Sequence, residues 1–71
     1  MKSAEVLVVV NGREESVHLP CTVAQMLEES GLKATQVVVE RNGAVLSRSV
    51  IAGTFLEEGD RLEVIVPVAG G

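Results

Sequence analysis

The chain has 71 residues, 46% of them hydrophobic and 23% charged, and its 6 basic against 10 acidic residues give a formal net charge of −4. That length holds one domain, with about 60% of the unfolded surface buried on folding, and the apolar content argues for a packed core rather than disorder. The acidic balance argues against nucleic acid and anionic lipid as partners, no apolar run reaches the roughly 20 residues of a membrane span, and the start does not read as a secretory leader, so the expected compartment is the cytoplasm.

Val6 to Val10 is a β-branched run that ends at Asn11-Gly12, the dipeptide most favoured in tight hairpin turns. Glu15 to Leu19 then alternates, with Val17 and Leu19 on one face, before Pro20 stops the pairing. The single cysteine, Cys21, follows in a loop; it can form neither an internal disulfide nor a thiolate cluster and reads as a spectator. Thr22 with Gln25 three residues on makes a capping box for a helix over 23–30, whose stripe of Val23, Met26 and Leu27 seeks a sheet. Gly31 ends that helix and Leu32 can fold back on its last turn.

Gln36 to Arg41 reads as a third strand, and Asn42-Gly43 as a second hairpin turn into the short run Ala44-Val45-Leu46. Ser47 to Thr54 shows no period and reads as an irregular crossing. After the acidic turn Glu57-Glu58-Gly59-Asp60, Arg61 to Val66 alternates as a last strand with Leu62, Val64 and Val66 in register. One short helix must lie on the sheet to be stable. The first and last strands are the most apolar and belong side by side in the middle, with Ala44–Leu46 at an edge. The expected fold is α+β: a mixed sheet with one main helix on one face, the β-grasp (ubiquitin-like) arrangement, over residues 1–67, followed by a flexible tail over 68–71.

A catalytic constellation is missing from the sequence. His18 stands alone and alternates outward, and the pairs Glu14-Glu15, Glu28-Glu29 and Glu57-Glu58 read as solvated charge. The glycines are scattered singly at turns, so no metal, bound cofactor or nucleotide loop is expected. What stands out is the ending Val66-Pro67-Val68-Ala69-Gly70-Gly71. Four residues from Val68 reach about 13 Å when extended, enough to thread a channel in a partner, and two glycines pass where any side chain would clash. Read as the carboxyl terminus, Gly71 offers a carboxylate with a pKa of about 3.3–3.7, ionised and weakly electrophilic until another enzyme activates it by nucleotidyl transfer. Sulfur placed on the resulting anhydride would leave a thiocarboxylate on a protein handle.

These residues resemble the ubiquitin-like sulfur carriers, most closely the thiamine-biosynthesis carriers of the ThiS family. Val10-Asn11-Gly12, Thr22-Val23-Ala24, Val39-Glu40-Arg41-Asn42-Gly43, Arg48 and Glu58 to Val64 before a Gly-Gly end carry the likeness. The resemblance implies that Gly71 is adenylated by a ThiF- or MoeB-like enzyme using ATP and becomes a thiocarboxylate. Val68, Ala69 and Gly70 would thread the partner's active site, and the sulfur would go to a thiazole on a ThiG-like thiazole synthase. The carrier itself would not be an enzyme. It also implies a docking face: alternation turns Leu62 and Val64 inward and leaves Leu7, Val9, Val38, Glu63 and Ile65 on the opposite side of the sheet for the activating enzyme. Alternatives are the small subunit of molybdopterin synthase (MoaD), whose ending is similar, a ubiquitin-like protein modifier, and a β-grasp interaction domain with an idle tail.

Overall fold

A computed structural model describes residues 4–68 of the chain. Strands β1 (Ala4–Val10) and β2 (Arg13–Leu19) form an antiparallel hairpin whose register runs from Ala4 opposite Leu19 to Val10 opposite Arg13. Asn11 and Gly12 both take positive φ, +50° and +81°. That is the backbone a two-residue turn needs to match the right-handed twist of its strands. Helix α1 (Val23–Glu29) opens with the expected capping box: the Gln25 N–H donates to Thr22 Oγ1 at 3.1 Å, and the Thr22 N–H donates to Gln25 Oε1 at 2.8 Å. It closes as Gly31 predicts. The Gly31 N–H reaches the Glu28 carbonyl and the Leu32 N–H the Leu27 carbonyl, a Schellman ending that lays Leu32 on the core.

Strand β3 (Val38–Arg41) begins two residues later than the sequence suggests, because Ala34–Gln36 forms a 3₁₀ turn. It turns at Asn42-Gly43 into β4 (Ala44–Leu46). The segment read as an irregular crossing contains a single helical turn, α2 (Arg48–Ile51). Four residues are too few to show a 3.6-residue period, and one buried side chain, Ile51, anchors the turn. The last strand, β5 (Arg61–Ile65), stops one residue short of Val66.

The sheet order is β2-β1-β5-β3-β4, with β1 and β5 parallel and the other neighbours antiparallel. The first and last strands are therefore the inner pair, and β4 lies at an edge, as expected. Val39 and Leu62 of the sheet form one core with Val23, Met26 and Leu27 of α1 and with Val37, Ile51 and Leu56, and Val8 of β1 is fully buried as well. Cys21, in the loop before α1, is buried among them. The segment after α2 is tied to the start of α1: the Val23 N–H donates to the Thr54 carbonyl and the Leu56 N–H to the Cys21 carbonyl.

Leu27 sits at the centre of this core and is almost fully buried. Replacing it with Ala removes the side chain that α1 plants on the sheet, and the unfolding free energy in urea should fall by about 2–5 kcal/mol. The same substitution at exposed Val45 should change it by about 0.5 kcal/mol or less.

Candidate functional site

The site is organised around β5, which is held along both edges by asparagine side chains. On the β1 side, the Asn11 N–H donates to the Leu62 carbonyl at 2.9 Å. The Asn11 amide then takes the Val64 N–H at 2.7 Å on Oδ1 and gives Nδ2–H to the Val64 carbonyl at 3.2 Å. On the β3 side, the Asn42 N–H donates to the Arg61 carbonyl at 2.7 Å, and Asn42 Oδ1 accepts the Arg61 N–H at 2.9 Å. Each Asn-Gly turn thus does two jobs, reversing its own hairpin and pairing with the central strand.

The start of β5 is fixed by Asp60, which is only 4% exposed. Its carboxylate accepts from Arg41 Nε at 3.0 Å, from Asn42 Nδ2 at 3.1 Å and from the Glu57 N–H at 2.8 Å. Burial pushes the Asp60 pKa up, but the Glu57 backbone N–H, the Asn42 amide and the Arg41 guanidinium outweigh it and hold the carboxyl below its ordinary value. Arg41 also bridges to Glu57 at 3.0 Å, so one member of the Glu57-Glu58 pair does structural work instead of only carrying solvated charge. The Gly59 N–H, in a turn with φ of +83°, donates to the Leu7 carbonyl and begins the β1–β5 ladder.

The face of the sheet opposite α1 carries the residues expected there. Leu7 is 50% exposed, Ile65 49% and Val38 38%; Glu63 is exposed and Val9 half-buried between its neighbours. Val38 lies opposite Ile65 in the β3–β5 register. Glu5, Glu14, Glu40 and Glu63 occupy the same side with Arg61, so an apolar strip runs between carboxylates. Beyond Ile65 the chain leaves the sheet: Val66 is more than half exposed rather than in the core register, and Val68 is 93% exposed. Ala69, Gly70 and Gly71, expected to complete the tail, lie outside the described residues.

Other groups do not converge. His18 Nε2 stands 3.6 Å from Glu5 Oε2 with both side chains in solvent. Burial, aided by Glu29, pushes the Cys21 thiol above its ordinary pKa, the opposite of the shift that activates a thiol. Among the described residues no three His, Cys, Asp or Glu are grouped to hold a metal ion, and no helix is long and apolar enough to cross a membrane. A groove of about 290 Å³ between Val10, Met26, Leu32, Val64 and Val66 flanks the departing chain on the helix side. The sequence reading missed both asparagine clamps and the Asp60 network. The available signal was Arg41, which shares the inward alternation of Val39 and so required a buried anion.

This is a ubiquitin-like β-grasp protein whose central strand runs out into an exposed segment. Residues 4–71 match the ThiS family, and the chain belongs to that family. It is similar to the crystal structure of the thiamine biosynthesis protein ThiS from Geobacter metallireducens, with a TM-score of 0.78 and 30% identity over 93% of this chain and 100% of that one. It is also 35% identical over 63 residues to a thiazole synthase of Paramagnetospirillum magneticum and 34% identical over 62 residues to one of Magnetococcus marinus. Those alignments take in 89% and 87% of this chain but only 19% of each thiazole synthase.

The Asp60 network makes stability depend on pH. The folded pKa of Asp60 lies below the unfolded value of about 3.9, so its contribution is complete above that value and is lost as pH falls through the folded pKa. Asp60→Asn should therefore be less stable than the parent by about 1–3 kcal/mol at pH 7. Urea titrations repeated from pH 5 downward should show the gap between the two proteins closing.

Proposed function

We propose that this chain is a sulfur carrier for thiamine biosynthesis, a protein cosubstrate whose reactive group is the carboxylate of Gly71. Family membership supports the reading. The single structural observation behind it is β5, a strand paired on both edges in the middle of the sheet that opens directly into the exposed Val66-Pro67-Val68 segment. A folded platform followed by a sequence that ends in the small residues Ala69, Gly70 and Gly71 suits delivery of a carbonyl into another protein's active site.

The chemistry is supplied by partners. A ThiF- or MoeB-like enzyme brings ATP; a Gly71 carboxylate oxygen attacks the α-phosphorus, pyrophosphate leaves, and the acyl adenylate forms. Hydrosulfide then attacks the carbonyl carbon, the C–O bond to AMP breaks, and loss of the S–H proton leaves the thiocarboxylate. Val68, Ala69 and Gly70 occupy the enzyme's channel during these steps, and the absence of Cβ at Gly70 and Gly71 leaves the carbonyl open to attack. The platform docks through Leu7, Val9, Val38 and Ile65 with Glu63 beside them, an apolar strip that a small monomer has no packing reason to display.

The acceptor in this reading is a ThiG-like thiazole synthase. A region resembling nearly the whole of this chain forms part of two longer chains named thiazole synthase, which favours thiazole formation as the fate of the sulfur. Joining donor and acceptor in one polypeptide raises the effective concentration of one at the other.

Incubation with a ThiF-type enzyme, ATP and a sulfur source should convert the C-terminal peptide to one with oxygen replaced by sulfur, read by intact and peptide mass. Deleting Gly70 and Gly71 should abolish it. Leu7→Asp and Ile65→Asp should each raise KM for the carrier about tenfold, a loss of about 1.4 kcal/mol, while leaving the folded state intact by circular dichroism. An unmodified terminus under conditions that modify another ThiS protein would overturn the reading, and a ladder of protein conjugates would replace it with a modifier.

A further inference from the structure

The Asn11 amide adds a rung to the sheet that β1 does not reach. β1 ends at Val10; its ladder with β5 begins where the Gly59 N–H donates to the Leu7 carbonyl, and continues with the Val9 N–H to the Asp60 carbonyl at 2.8 Å and the Asn11 N–H to the Leu62 carbonyl at 2.9 Å. The next rung belongs to Val64, but the chain has already turned away at Asn11-Gly12. The Asn11 side chain supplies that rung from both of its ends, at 2.7 and 3.2 Å. β3 cannot substitute, because along an antiparallel pair alternate residues point their N–H and C=O to the far side, and those of Val64 point toward β1.

The chain from Ile65 to Pro67 is stiff. Ile65 closes the strand opposite Val38, Val66 precedes a proline and is held to extended conformations, and Pro67 has a fixed φ and no N–H. The direction in which the chain departs is therefore set where Val64 is tethered, and Val68 beyond it is 93% exposed. We propose that Asn11 is a positioning residue for the chemistry at Gly71: its side-chain amide aims the C-terminal segment so that docking of the sheet face and entry of the tail occur together. The proposal rests on the sulfur-carrier reading and assigns to a turn residue a part in presenting the carboxylate.

Two substitutions separate the amide from the turn. Asn11→Gly keeps the positive φ without strain and removes both side-chain bonds, whereas Asn11→Ala removes the same bonds and adds backbone strain at φ +50°. Adenylation of the full chain by a ThiF-type enzyme and ATP, followed by pyrophosphate release, gives KM and kcat for the carrier. Both variants should raise KM about fivefold, the effect of losing about 1 kcal/mol of the docking-competent geometry, with kcat within twofold of the parent. In the isolated variants, the Val64 amide should exchange with deuterium faster while the Leu27 amide keeps its protection. Recovery of the parent KM in Asn11→Gly, a defect confined to kcat, or unchanged Val64 exchange would each overturn the proposal. The parent protein is the internal control: failure to adenylate it overturns the sulfur-carrier reading itself, whereas normal turnover of parent and variants alike overturns only the role of Asn11.

Discussion

The rest of the molecule depends on the placement of β5 between β1 and β3. Neither outer hairpin has a stable sheet of its own, since two-stranded hairpins are marginal in water. β5 joins them, and its inward residues, Leu62 and Val64, complete the floor on which α1 lies. Side chains take over where the backbone pattern runs out. Asn11 and Asn42 extend the pairing at opposite edges and opposite ends of the strand, and Asp60 gathers Arg41, Asn42 and the Glu57 N–H at its beginning.

The two faces of this sheet have different chemistry for the same reason. Strand alternation assigns every second residue of β1, β3 and β5 to α1 and the remainder to solvent. On the solvent side a monomer with no partner would carry polar residues throughout, yet Leu7, Val38 and Ile65 form an apolar strip bordered by carboxylates. Ile65, at one end of the strip, is the last residue of the strand that opens into the exposed segment, so the strip and the departing chain share β5.

Much of this was legible in the sequence. Both Asn-Gly turns, the Thr22–Gln25 capping box and the Gly31 stop are local signals with local causes, and all appear in the structure. The inner pairing of the first and last strands followed from their apolar character, and the faces followed from alternation. The α2 turn and the 3₁₀ turn at Ala34–Gln36 were not legible, because elements of three or four residues have no period to read. The asparagine clamps escaped for a different reason. The residue type explained the turn fully, so nothing local signalled that the amide also reached Val64, 53 positions away in the chain. Arg41 was the exception, since a cation at an inward strand position demands a buried counter-charge.

The order of the strands also has a consequence during biosynthesis. β5 emerges from the ribosome after the four strands and the main helix it unites, and its parallel partner β1 emerges first. Until then β1 and β3 have open edges, so the sheet closes late and through contacts of long sequence separation. A nascent chain interrupted before residue 61 lacks the central strand, so Leu7 and Val38 are not yet joined with Ile65 on one sheet face, and the apolar strip is a property of the finished fold alone.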